Sequence, residues 1–205
     1  MKKKTGLFFL LILLTIAAAT AAWVTKKPAE DPLQPEIAGK ILRFHVLANS
    51  DSKEDQAVKI KVRDAVGHML EKQLTGVKSR KETEQIVAAQ MDEIVAVAES
   101  TLEENGYTYG AAARFADVKF PVKTYGNYTF PQGTYRALQI TLGNGAGHNW
   151  WCVLYPNMCF QGSVYEVVDD SAEHALREVL TQEEYADVFD SPKMQIRWKF
   201  LDYFR

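Results

Sequence analysis

Between Gly145 and Pro156 the chain reads Gly-Ala-Gly-His-Asn-Trp-Trp-Cys-Val-Leu-Tyr-Pro, which sets His148, Asn149, Trp150, Trp151 and Cys152 in five consecutive positions. His, Trp and Cys number only 4, 4 and 2 in 205 residues, so their convergence marks a candidate site. One chemistry is nucleophilic, with Cys152 as thiolate and His148 as base. Four residues along a strand cover roughly 13 Å, so these two meet only if a turn at Gly147-His148-Asn149 folds the histidine back. His45 is a second candidate base. The other chemistry is recognition. In an extended segment Trp150 and Trp151 point to opposite faces. One then belongs to a core, and the other is half exposed and suits a binding hot spot. Core packing of both remains the competing reading.

The two cysteines, Cys152 and Cys159, decide between these chemistries. In an exported protein a pair reads first as a disulfide, with two buried thiols as the alternative. A disulfide removes the thiolate, so no catalytic residue is assigned. His148, Asn149, Trp150, Trp151 and His45 are candidate partner-binding residues, joined by Asn49 and Asp51 from an earlier polar cluster. Asn49, Asp51 and Asp55 carry oxygens, but their spacing is not that of a calcium loop and helix capping accounts for them. Two cysteines with no second Cys/His group do not make a zinc site, and no metal or cofactor is expected. Gly143-Asn144-Gly145-Ala146-Gly147 precedes a strand rather than a helix, so it is read as a hairpin loop and not as a phosphate cradle.

The elements that must position these residues follow from periodicity. Ile41 to Ala48 alternates, with Leu42, Phe44 and Val46 on one face and Arg43 and His45 on the other, and reads as a strand. Asn49-Ser50-Asp51-Ser52 supplies an N-cap for a helix to about Leu74, striped by Val58, Val62, Val66 and Met69. Lys59, Lys61, Arg63 and Lys72 read as its outward, solubilising charges. A second long helix is expected from Ser79 or Arg80 to Glu104, with Asn105-Gly106 as its stop. Strands are expected over 109–118 and 135–142, with a turn at Gly126-Asn127 and a returning strand from Trp150 to Tyr155. Val164 to Val168 extends the sheet or leads into a helix. Asp170 or Ser171 caps a helix to Leu180, and Thr181-x-x-Glu184 matches a capping box for another to Phe189. Met194 to Phe204 reads as a closing strand. The fold class is α+β: one domain with a mostly antiparallel sheet, two long N-terminal helices and shorter C-terminal ones.

The ends set the compartment. Lys2, Lys3 and Lys4 precede an uncharged stretch from Thr5 to Thr25, which reads as a signal peptide or an N-terminal membrane anchor over residues 1–25. Residues 26–39 hold Pro28, Pro32 and Pro35 and read as an extended, solvated linker. Residues 40–205 are then the exported domain, long enough for one core. Three of the 24 basic residues lie in the leader, so 21 face 26 acidic ones and the remainder carries about −5. No basic stripe interleaves with aromatics, which argues against nucleic acid as a partner.

Leu42-Arg43-Phe44-His45-Val46-Leu47-Ala48-Asn49-Ser50-Asp51-Ser52-x-Glu54-Asp55-Gln56, continued by Lys59-x-Lys61-Val62-Arg63-Asp64, resembles the opening motif of the stage II sporulation protein R family. Phe130-Pro131-x-Gly133-x-Tyr135-x-Ala137-Leu138, Gly145-x-Gly147-His148-Asn149-Trp150-Trp151-Cys152-Val153-Leu154 and Arg197-Trp198-Lys199-Phe200-Leu201 look like further family blocks. The resemblance implies a protein made in the forespore of an endospore-forming bacterium and exported into the space between the two sporangial membranes. There such proteins trigger a membrane-embedded aspartic protease of the mother cell, which removes the pro-segment of the early mother-cell sigma factor. The implied role is a signal that activates a protease. The alternatives are an extracytoplasmic hydrolase of cell wall or peptide using Cys152 with His148, and a cell-wall binding module.

Overall fold

The computed structural model describes Thr15 and residues 31–158 and 170–190, with the side chains of 170–172 and 190 left aside. The leader beyond Thr15, Cys159, the extension at Val164–Val168, the closing strand at Met194–Phe204 and the block Arg197–Leu201 lie outside the described residues. Among the described residues no helix is long and apolar enough to cross a membrane. The chain divides into two units, residues 1–30 and 31–205.

The second unit starts earlier than the linker reading allows. Helix α1 spans Gln34–Lys40, with a proline at its first turn, where a missing N–H costs nothing. Ile37 on this helix is 0 % exposed. Arg80 donates to the carbonyls of Ala38 at 3.0 Å and Gly39 at 2.7 Å, satisfying the helix's last acceptors. Strand β1 then runs Leu42–Leu47. Ser52 caps helix α2, Lys53–Gln73, by accepting from the Asp55 backbone N–H.

The expected second long helix is two. Helix α3 spans Arg80–Ala89 and α4 spans Met91–Glu104, and Gln90 between them has φ −110° and ψ 14°. No Gly or Pro marks this break. It lets Val87 of α3 and Ile94, Ala98 and Leu102 of α4 all be buried in one core. Strands β2 (Ala111–Phe120), β3 (Lys123–Tyr125), β4 (Tyr128–Phe130), β5 (Gly133–Leu142) and β6 (Asn149–Tyr155) follow. Helix α5 (Asp170–Val179) and helix α6 (Gln182–Asp190) close the described chain. The Thr181 capping box forms: Thr181 N–H donates to Glu184 Oε2 at 2.6 Å and Glu184 N–H donates to Thr181 Oγ1 at 3.3 Å. The same Glu184 oxygen takes Lys40 Nζ at 2.5 Å, tying α1 to α6.

The main sheet has the order β2-β5-β1-β6, and β3 and β4 form a separate hairpin. β1 lies parallel to β5 and antiparallel to β6, while β2 and β5 are antiparallel. The fold is therefore α+β with a mostly antiparallel sheet. β5 and β6 are not hairpin partners, because β1 lies between them. One face of the sheet packs Leu42, Phe44 and Val46 against Val58, Val62, Val66 and Leu70 of α2 and against α4. The other face is also covered, by Ile37, the aromatics of the β3–β4 hairpin, and Leu176, Tyr185 and Val188 of the last two helices. β1 is thus buried on both faces although its sequence alternates apolar and polar.

Ile37 separates a folded start from a solvated linker. Ile37→Ala should destabilise the domain by about 2–4 kcal/mol, the usual cost of truncating a buried isoleucine, measured by urea unfolding. A change within about 0.5 kcal/mol, typical of an exposed site, would return residues 26–39 to the linker.

Candidate functional site

Because β1 stands between β5 and β6, the connection from Gly143 to His148 crosses over the C-terminal end of β1. It is fastened there. Gly147 N–H donates to Ala48 O at 2.9 Å and Ala146 N–H to Asn49 O at 3.2 Å. Asn144 N–H donates to Asn49 Oδ1 at 3.0 Å, and His148 N–H to Asp51 Oδ1 at 2.6 Å. The glycines make this approach possible. A Cβ on Gly147 would overlap the Ser50 carbonyl, and Gly143 has φ +52°, a conformation that only glycine adopts without strain.

Asp55, in the first turn of α2, organises the floor of the site. Asn49 Nδ2 donates to Asp55 Oδ2 at 2.9 Å, Ser50 Oγ to the same oxygen at 2.5 Å, and Tyr109 OH to Oδ1 at 2.7 Å. These donors outweigh burial and hold the Asp55 carboxyl below its ordinary range, the Ser50 hydroxyl contributing most. In turn the Tyr109 hydroxyl is pushed up, first by burial and then by its bond to Asp55.

Lys59 is not an outward solubilising charge. It is 5 % exposed, and its ammonium donates to His148 O at 2.9 Å and Gln56 Oε1 at 2.5 Å. Burial lowers its pKa, with the Asp51 charge acting in the opposite sense. One turn further along α2, the Arg63 guanidinium lies 5.0 Å from the centre of the Trp150 ring. Phe44 meets that ring edge-on at 5.5 Å.

Above this floor His148 and Asp51 face solvent. The His148 side chain is 80 % exposed, and its Nδ1 is paired with Asp51 Oδ1. This pairing lowers the Asp51 pKa and leaves His148 Nε2 directed away from the carboxylate. The pair is a fixed donor–acceptor surface, with the histidine oriented by hydrogen bonds through both its ring and its backbone.

The structure divides the candidate residues. Asn49, Asp51, His148 and Asn149 come together at the end of β1. Trp150 is 3 % exposed and belongs to the helix-side core, while Trp151 is half-buried on the opposite face. His45 is not in the patch. It is 1 % exposed and stacks on Trp151 with ring centres 5.0 Å apart and planes 4° apart. Neither of its ring nitrogens has a hydrogen-bond partner among the described residues. Burial and the charges of Arg114 and Arg43 lower its pKa to about 4. Cys152 is buried and disulfide-bonded, and Cys159, its expected partner, lies outside the described residues. A disulfide-bonded sulfur is not a thiolate nucleophile. Among the described residues no group of three or more His, Cys, Asp or Glu side chains could hold a metal.

Ser50, Asp55, Lys59, Arg63 and Tyr109 complete the site and were not marked as site residues by sequence. Lys59 carried a signal, for it sits between Val58 and Val62 on the buried stripe of α2.

Residues 38–165 match the family described as stage II sporulation protein R. The chain belongs to the stage II sporulation protein R family. A member from Bacillus subtilis (strain 168), named stage II sporulation protein R, is 38 % identical over 160 residues, which cover 77 % of this chain and 71 % of that protein. No solved structure matches. Membership makes this a sporulation protein, and the matched residues contain the blocks at 42–64, 130–138 and 145–154 but not the one at 197–201. Two of the family blocks, 42–56 and 145–154, are the segments that meet at the end of β1.

Two measurements test this geometry. Gly147→Ala should cost about 1–3 kcal/mol, as forced overpacking does, read as a lowered urea midpoint. His45 has a folded pKa near 4 against an unfolded value of 6.5, so the unfolded chain binds its proton first as pH falls. Stability should therefore decline from pH 6.5 towards pH 4 by about 3 kcal/mol. His45→Phe should remove that decline, seen in urea titrations at several pH values, and an unchanged slope would mean that His45 is solvated.

Proposed function

We propose that this protein is exported from the forespore and acts as an intercellular sporulation signal. Its partner is a membrane-embedded aspartic protease of the mother cell, which it switches on to process the pro-form of the early mother-cell sigma factor. The leader delivers it across the membrane, by cleavage or as an anchor, and the folded unit is the part that is recognised. The observation that carries this reading is the exposed Asp51–His148 pair, assembled from two family blocks and held by buried Lys59 and Asp55. Buried groups that serve only to fix an exposed pair suit recognition by shape and hydrogen bonding.

An activator works by differential affinity, binding the active form of its partner more tightly than the inactive one. Moving a partner from 1 % to 99 % active requires about 5.5 kcal/mol of such preference, within reach of a few well-placed contacts. Aspartic proteases need two facing carboxylates, so stabilising the arrangement that brings them together is a sufficient mechanism. The hydrolase alternative is weakened by the disulfide at Cys152.

The test is reconstituted cleavage of the pro-sigma factor by the purified protease with this protein added. Asp51 and His148 are exposed, so Asp51→Ala with His148→Ala should keep the fold, at a cost of about 2 kcal/mol for the lost bond from the His148 N–H to Asp51, and reduce triggered cleavage at least tenfold. A folded double variant that triggers cleavage at the normal rate would move the recognition surface elsewhere. Trp150→Ala is unsuitable here, because it removes a core residue.

A further inference from the structure

Arg43 and His45 stand two residues apart on β1 and leave the same face of the sheet. They are 0 % and 1 % exposed. Arg43 sits in an aromatic cage: its guanidinium carbon is 4.4 Å from the centre of the Phe120 ring and 5.2 Å from those of Phe130 and Tyr135. Its Nη2 donates to Tyr125 OH at 3.2 Å. Among the described residues Nε and Nη1 have no acceptor, and neither ring nitrogen of His45 has a partner. Four polar nitrogens on neighbouring side chains are therefore buried without a hydrogen bond from the described chain.

Nor does an acidic side chain among the described residues offset this charge. The charged groups that act on His45 are Arg114 and Arg43, and Arg43 is influenced by Tyr125 and Tyr135. Lys123 is itself held down by burial and by Arg43. Ring faces stabilise a guanidinium electrostatically, but they do not satisfy its edge N–H groups. A guanidinium cannot escape by losing its proton. Buried charges in proteins are paired, and a buried donor without an acceptor calls for an explanation, of which a bound ion or water is one. Water would satisfy the N–H groups and leave the charge uncompensated, whereas an anion does both.

We propose that the Arg43–His45 face is an anion site whose ligand is a carboxylate, shared between an Arg43 N–H and the His45 ring. Residues i and i+2 of a strand lie about 6.6 Å apart, a span that one carboxylate with a charge-assisted hydrogen bond from each side covers. The approach is past half-buried Trp151, which stacks on His45, and past Gln139, the cross-strand neighbour of His45, which accepts from exposed Arg114 at 3.2 Å. The site lies on the sheet face opposite Trp150, and binding there does not depend on which protein is the partner.

The experiment follows the His45 ring resonances of the full chain by NMR against pH, with acetate as probe and chloride at equal ionic strength as control. Acetate should raise the His45 pKa by at least one unit, equivalent to a tenfold preference for the protonated ring, and should shift the Trp151 indole N–H. Arg43→Met, whose apolar side chain fills the cage, should abolish the response, and Arg114→Gln, at an exposed position, should weaken it. N-acetylglutamate α-amide, with only its side-chain acid, and N-acetylalanine, with only its terminal acid, separate an acidic side chain from a chain terminus as the source. The larger effect identifies it. No acetate response in the wild-type chain, an equal response to chloride, or an unchanged response in a folded Arg43→Met variant would overturn the proposal.

Discussion

A strand paired along both edges has unpaired backbone groups only at its ends, and β1 is such a strand. β5 flanks it on one side and β6 on the other, so the chain between those two must pass over the end of β1. The last carbonyls there need donors, and Gly147 and Ala146 supply the N–H groups. Everything at the candidate site follows from this crossing. It sets His148 over Asp51, sends Trp150 towards the helices and Trp151 to the far face, and fixes a glycine-rich loop that would otherwise be free.

The crossing is held by charges that are expensive to bury. Lys59 and Asp55 are both nearly inaccessible, yet each is well provided with partners. Asp55 has three side-chain donors, and Lys59 has the His148 carbonyl and Gln56. Satisfied in this way, buried polar groups add rigidity and specify one arrangement. Their effect is transmitted to Asp51 and His148, whose own pairing is exposed and would contribute little alone. The surface pair is positioned from beneath.

Local elements were legible in the sequence because local physics decides them. A cap within Ser50–Ser52, the capping box at Thr181 and the opposite destinations of Trp150 and Trp151 follow from hydrogen-bonding side chains and period-two alternation; the structure picks Ser52 among the three. The order of strands did not follow. A glycine-rich segment between two strands reads as a hairpin, and only the long-range insertion of β1 makes it a crossover. The break at Gln90 was also hidden, since tertiary packing rather than a Gly or Pro sets it. Proline content made residues 26–39 look solvated, but Ile37, with Leu33 and Ala38 packed beside it, seats a short helix. Lys59 was misread because charge was given more weight than its place on the apolar stripe.

The two faces of β1 differ in a way that bears on why its polar residues are tolerated. Leu42, Phe44 and Val46 meet α2 and α4 as an ordinary core. Arg43 and His45 face a second core built largely of aromatic rings. Replacing a buried charge by an apolar side chain of similar size is often neutral or stabilising, so stability alone does not require a guanidinium there. A one-residue slip of β1 would drive Arg43 and His45 into the helices and Phe44 into the cage. On the helix side the slipped pair would meet Val58, Val62, Val66 and Leu70, and the Trp150 ring there already carries Arg63, while the cage offers ring faces that accept a cation. The polar pair thus fixes the register of the central strand. Register in turn determines where β1 ends, and therefore where the crossing loop and the Asp51–His148 pair must stand.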